Sequence, residues 1–157
     1  MTAAGTKTMR RTILLFCLFL GACGESGPPT RGVPVPFAGA CDKANEGKRV
    51  MLDGYLEFPR SFGASEDTVM MRLRPSLDSW QNVVGVGVHM GTGANNVEMP
   101  PQTFKNSDLK AHTGDGQVVG YANKIKVSGT LYLTSSLAQV EFKCGLSNPL
   151  FERGEGQ

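Results

Sequence analysis

Arg72 and Arg74 stand two positions apart in TVMMRLRP, and NVVGVGVHM sets Gly85, Gly87 and His89 at the same spacing. In an extended chain, residues two apart project from the same side. The two stretches would therefore put a pair of guanidiniums, a strip of bare backbone and an imidazole on one surface. Tyr55, Phe62 and Trp80 lie near enough in sequence to border it. Guanidinium forks pair with carboxylates or phosphates, and glycines leave room for a flat or extended ligand. A plainer reading stands beside this one: the glycines relieve strand curvature, and the arginines only keep an outward face soluble.

Catalytic patterns are sparse. The chain holds no G-x-S-x-G, H-E-x-x-H or C-x-x-C. GACDKANEGKR ends in Gly-Lys but lacks the first glycine of a phosphate loop, and Arg49 stands where Ser or Thr would hold magnesium. GTGANN lacks the third glycine of a dinucleotide loop. Of the two histidines, His89 and His112, neither has an orienting partner nearby in sequence, as acid/base work requires. His89, Met90 and Met99 have copper-compatible donors, but donor type alone makes no site. No metal and no cofactor is expected. An enzyme of unrecognised type would have to draw on Asp53, His89 or Asp115.

The chain has four cysteines, and two of them sit in the apolar run LFCLFLGACG. Lys7, Arg10 and Arg11 precede an apolar stretch ending in small residues, the pattern of a secretory signal over residues 1–22. The run is too short for a membrane-spanning helix, which needs about 20 apolar residues. Leu20-Gly21-Ala22-Cys23 resembles the lipobox of bacterial lipoproteins, which implies that Cys23 becomes the acylated first residue of the mature chain. Cys17 follows Phe16, lacks that context and leaves with the leader. Met9 opens a complete signal as well as Met1 does. Gly24, rather than Asp, follows the cysteine, and the resemblance then implies the outer membrane, facing the periplasm.

Cleavage after Ala22 would leave 135 of the 157 residues, enough for one domain. Of 16 Lys and Arg against 14 Asp and Glu, the leader removes three positives, so the mature chain carries −1. Nucleic-acid binding wants a clearly basic domain, and this one is not basic. Cys41 and Cys144 remain, one near each end of the domain. In an oxidising compartment such a pair reads as a disulfide. A closed loop of about 100 residues would contribute about 4.7 kcal/mol in the chain-entropy treatment.

The elements that would position these residues follow from composition and period. Residues 23–36, with GESGPPTRGVPVP, read as a solvated tether. Residues 37–48 can form a short helix stopped by Gly47. Strands are expected over 48–59, with a bend at Gly54, over 68–75 and over 82–90. A helical connection near residues 107–112 leads to strands over 123–133 and 137–144, the latter with Val140, Phe142 and Cys144 inward. Residues 149–157 form a tail. Three strands, a helical connection and two strands give an all-β class, a five-stranded OB-like barrel over residues 37–148.

CDKANEGKRVMLDGYL, GDGQVVGYANKIKVSGTLYL and VEFKCGL resemble the OB-fold family labelled tRNA-anticodon-binding-like, widespread in bacterial envelope proteins. The matching features are Asn-x-Gly-Lys at residues 45–48, a hydrophobic-Ser-Gly-Thr run at 127–130 and the cysteine at 144. The resemblance implies an OB barrel whose usual ligand face would carry Tyr55, Arg72, Arg74, Gly85, Gly87 and His89. The expected function is that of a lipid-anchored, non-enzymatic binding module for an envelope protein or anionic polymer. A periplasmic enzyme or small-ligand binder, and a structural lipoprotein without ligand, stand as alternatives.

Overall fold

Alternation of apolar and polar residues becomes strand in all four stretches where it is cleanest. In the computed structural model, Met1 and residues 27–62, 67–135 and 142–155 are described. The expected leader, Cys17, Cys23 and the first residues of the tether lie outside the described residues, as do residues 137–141 with Val140. Among the described residues eight strands run β1 (Val33–Pro34), β2 (Arg49–Glu57), β3 (Thr68–Arg74), β4 (Val84–His89), β5 (Lys110–His112), β6 (Val118–Gly120), β7 (Lys124–Leu133) and β8 (Cys144–Arg153).

Five of them close a barrel in the order β2-β3-β4-β8-β7 and back to β2. All its pairings are antiparallel except β4–β8, which is parallel. This is an OB-like barrel, mostly β, as the strand count predicts. Val50, Leu52, Leu56, Val69, Met71, Leu73, Val84, Val86, Val88, Ile125, Val127, Leu131, Leu146 and Phe151 fill it. Gly54 sits where β2 passes from β7 to β3; a Cβ there would lie 2.3 Å from the Arg74 carbonyl oxygen.

Several expected boundaries move. In place of a continuous helix over 37–48 stand two 3-10 turns, Phe37–Gly39 and Lys43–Asn45. The expected helical connection is one 3-10 turn, Asn106–Asp108, followed by the β5–β6 hairpin. The last strand begins at Cys144, where the sequence reading ends it, and residues 149–153 of the expected tail belong to it. Of the expected tether, residues 33–34 pair in parallel with Val50 and Met51. They cover an edge of β2 that β3 leaves free. Cys41 and Cys144 form the expected disulfide, with Cα atoms 5.4 Å apart, tying the N-terminal turns to the start of β8.

Candidate functional site

Register decides which residues share a face. Arg72 lies opposite Glu57 on β2 and opposite Gly85 on β4; Arg74 lies opposite Tyr55, and Met70 opposite Gly87. Thr68 and His89 close the row, with Thr68 Oγ1 3.1 Å from His89 Nδ1. Tyr55, Arg72, Arg74, Gly85, Gly87 and His89 therefore occupy one outer face, as the spacing predicts. β8 continues it: Gly145 lies beside Gly85, and Tyr132 of β7 beside Gly145.

The two arginines do not project into water. Arg72 is 5 % and Arg74 1 % exposed. Glu57, itself buried, holds both, its Oε2 lying 3.2 Å from Arg74 Nη1 and 3.8 Å from Arg72 Nη1. Arg74 also donates to the carbonyls of Ser79, at 2.7 Å, and Leu77, at 2.6 Å. Asn106 Nδ2 donates to the other Glu57 oxygen at 2.7 Å. The expectation of outward, solvated arginines is thus corrected. The segment after β3 turns back over them, and its carbonyls take donors of Arg74 that a ligand would have used.

Trp80 completes that cover. Its ring stacks over Arg74 at 4.1 Å and over Arg72 at 5.4 Å, yet it remains 66 % exposed. A stacked guanidinium holds an aromatic ring by about 0.5–2 kcal/mol. Beside it opens a cavity of about 580 Å³ lined by Phe37, Asp42, Arg72, Trp80, Gln81 and Lys143 among others. An exposed indole is thereby fixed at the mouth of a concave surface.

Gly85, expected as bare backbone, is covered, since a Cβ there would meet Met70 Sδ at 2.9 Å and the Phe142 ring at 3.0 Å. Gly87 is open, with nothing nearer than 3.8 Å to that position. Met70 and Phe142 thus divide the face. On the far side, Gly87, His89, Thr68 and Tyr132 line a second trench of about 480 Å³. Tyr132 lies flat on Gly145, and burial pushes its phenol up.

Other expected participants are dispersed. Asp53 pairs with Lys124 at 3.1 Å, and Asp115 accepts from Thr113 Oγ1. Thus Asp53, His89 and Asp115 each have a different neighbour. Phe62 stacks edge-on with Phe58 and Phe104, at 5.4 and 4.8 Å. Among the described residues no group of three or more His, Cys, Asp or Glu converges as a metal site. Sequence reasoning missed Glu57 and Phe142 as parts of the face. Glu57 was legible: it keeps the parity of Asp53 and Tyr55 and so faces with them.

Compared with protein-family models, curated proteins and solved structures, the chain matches none. The OB-like assignment rests on the closed five-stranded barrel itself.

Proposed function

We propose that the chain is a lipid-anchored, non-enzymatic binding module of the bacterial cell envelope that takes a partner protein on its β3–β4 face. The observation that supports it is Trp80, two-thirds exposed but fixed over Arg74 at the mouth of the 580 Å³ cavity. Exposed tryptophans held in one conformation dominate the energetics of protein interfaces, because little rotamer freedom is lost when the partner arrives. Buried, internally bonded arginines suit an anionic polymer poorly, and this turns the reading towards a protein. The lipobox-like Leu20-Gly21-Ala22-Cys23 and the resemblance to envelope OB-fold proteins supply the address.

The test is recovery of envelope partners, after detergent extraction, by the wild-type chain and by Trp80→Ala. Trp80→Ala should fold, since the ring is mostly exposed, and should lose the partner by more than about tenfold, the effect of an interface residue contributing about 1.4 kcal/mol or more. Equal recovery with the two chains would remove Trp80 and this face from the function. Cys23→Ser should abolish incorporation of labelled fatty acid, and undiminished labelling would refute the anchor separately.

A further inference from the structure

The residues just after the proposed lipidation site are fastened to the barrel. Gly32 N donates to Ser128 Oγ at 3.0 Å, and Val35 N to the Met51 carbonyl at 3.0 Å. Arg31 pairs with Glu152, and Arg49 donates to the carbonyls of Thr30 and Asn148. Gly32 lies against β2, where a Cβ would come within 2.4 Å of Val50. Upstream of these ties, Pro29 lines the second trench, together with Thr68, Gly87, His89, Tyr132 and Ser147.

Chain length then restricts where that trench can be. Six Cα–Cα steps separate Cys23 from Pro29, and at 3.8 Å each they reach at most about 23 Å in any conformation. Trp80 is at the other end of the same face. Val83 lines its cavity and His89 the trench, and six strand residues extend about 20 Å. An anchor at Cys23 keeps the trench within about 23 Å of the bilayer, while Trp80, about 20 Å farther along the face, is held less closely.

We infer, on the reading that Cys23 is acylated, that the trench rests on the membrane and seats the phosphodiester headgroup of a phospholipid. Its chemistry fits that occupant. Among the described residues no Asp or Glu lines it, whereas Asp42, Glu57 and the pair Asp115 and Glu152 line three other cavities. A phosphate entering here meets the His89 imidazole, asparagine amides and the hydroxyls of Thr68, Tyr132 and Ser147, with Leu146 and Pro149 as apolar floor, and must draw those hydroxyls from the bonds they make with His89, Met70 Sδ and the Thr130 carbonyl. Tyrosine is at home at that depth, with its ring in the apolar boundary and its hydroxyl in the wet one. Gly87 supplies the room, because a side chain there would project into the trench.

The experiment uses the chain from Cys23 onward, which contains every described element. With Cys41 and Cys144 joined, Cys23 is its only free thiol. Coupling that thiol to a maleimide lipid in phosphatidylethanolamine–phosphatidylglycerol vesicles imposes the anchor, so the outcome does not depend on acylation in cells. Trp80 is the sole tryptophan, and Ala94, exposed beside the trench, accepts a transferred one. With nitroxide-headgroup lipid, the Trp80→Phe/Ala94→Trp chain should be quenched and the wild-type chain should not. Equal quenching, or stronger quenching of Trp80, would overturn the orientation.

A second arm separates seating from mere nearness. Inserting a twenty-residue Gly/Ser spacer between Gly27 and Pro28 removes the length restriction. Quenching at position 94 should persist in that chain and be lost when Gly87→Leu fills the trench. Loss of quenching with the spacer alone would overturn headgroup binding.

Discussion

Glu57 is the residue on which the β3 arginines depend. It is buried between Arg72 and Arg74, and Asn106 holds its second oxygen. Breaking such a buried pair from one side leaves an uncompensated charge and costs about 3–5 kcal/mol. Arg74→Ala should therefore lower stability by that amount, measured as a shift in the urea midpoint, instead of the sub-kcal/mol loss of a surface change. Arg74→Lys should recover little, because one ammonium cannot reach Glu57 and the carbonyls of Leu77 and Ser79 in a planar fork. A near-neutral Arg74→Ala would mean that the cover over the face is not structural. Glu98 is a milder case at the surface. Lys110, donating at 3.1 Å, and then His112, at 3.0 Å, hold its carboxyl below the usual range. A depressed folded value stabilises above the unfolded carboxylate pKa, about 4.3, and the gain is lost as pH falls through the folded value. Glu98→Gln should thus lose less stability on acidification below about pH 4.3 than wild type does, a difference read from urea midpoints at pH 6 and pH 3.

At the scale of elements, β8 shows why one strand escaped the sequence. Leu146 and Phe151 both face the core, although an odd number of positions separates them. Register explains it: β7 spends one residue, Gly129, between Ser128 and Thr130, while β8 spends Asn148 and Pro149 between Ser147 and Leu150. Such a bulge shifts the alternation by one, so no single period-two reading covers Cys144–Arg153. β3, β4 and β7 keep their parity and were legible residue by residue. The β5–β6 hairpin was not, because three-residue strands carry too little pattern, and Lys110, Ala111 and His112 suit a helix equally well. The candidate face was legible in its register and not in its burial. Parity places Arg72 and Arg74 outward, but only the return of residues 75–80 across them makes them interior. The bulge also makes a prediction. Asn148 has φ of 49°, a conformation that asparagine and glycine adopt and β-branched residues resist. Asn148→Gly should leave stability within about 0.5 kcal/mol, whereas Asn148→Val should cost about 1–3 kcal/mol. Equal midpoints for the two variants in thermal denaturation would show that the bulge can relax without that backbone angle.

For the whole molecule, charge is arranged by face. The β2–β7–β8 side carries paired ions, Asp53 with Lys124, Lys126 with Glu155, and Arg31 with Glu152. On the β3–β4 side the arginines lie beneath Trp80, and the cavities there are lined mostly by aromatic, amide, hydroxyl and glycine groups, with Asp42 and Lys143 the charged residues beside Trp80. Without residues 1–22 the chain carries −1, so it has no long-range field with which to draw in a charged partner. Recognition through Trp80 should then come from desolvated ring contact, which salt screens little, since the Debye length of about 8 Å at 0.15 M acts on exposed charges. Partner recovery by the wild-type chain should change by less than about twofold between 50 and 300 mM NaCl, because apolar burial does not depend on counterions. A steep fall over that range would mean that exposed cations such as Lys143, and not the indole, carry the interaction. Lys143→Ala would then weaken recovery more than Trp80→Ala does. The ordering of those two variants across the salt series decides whether this barrel recognises its partner by shape or by charge.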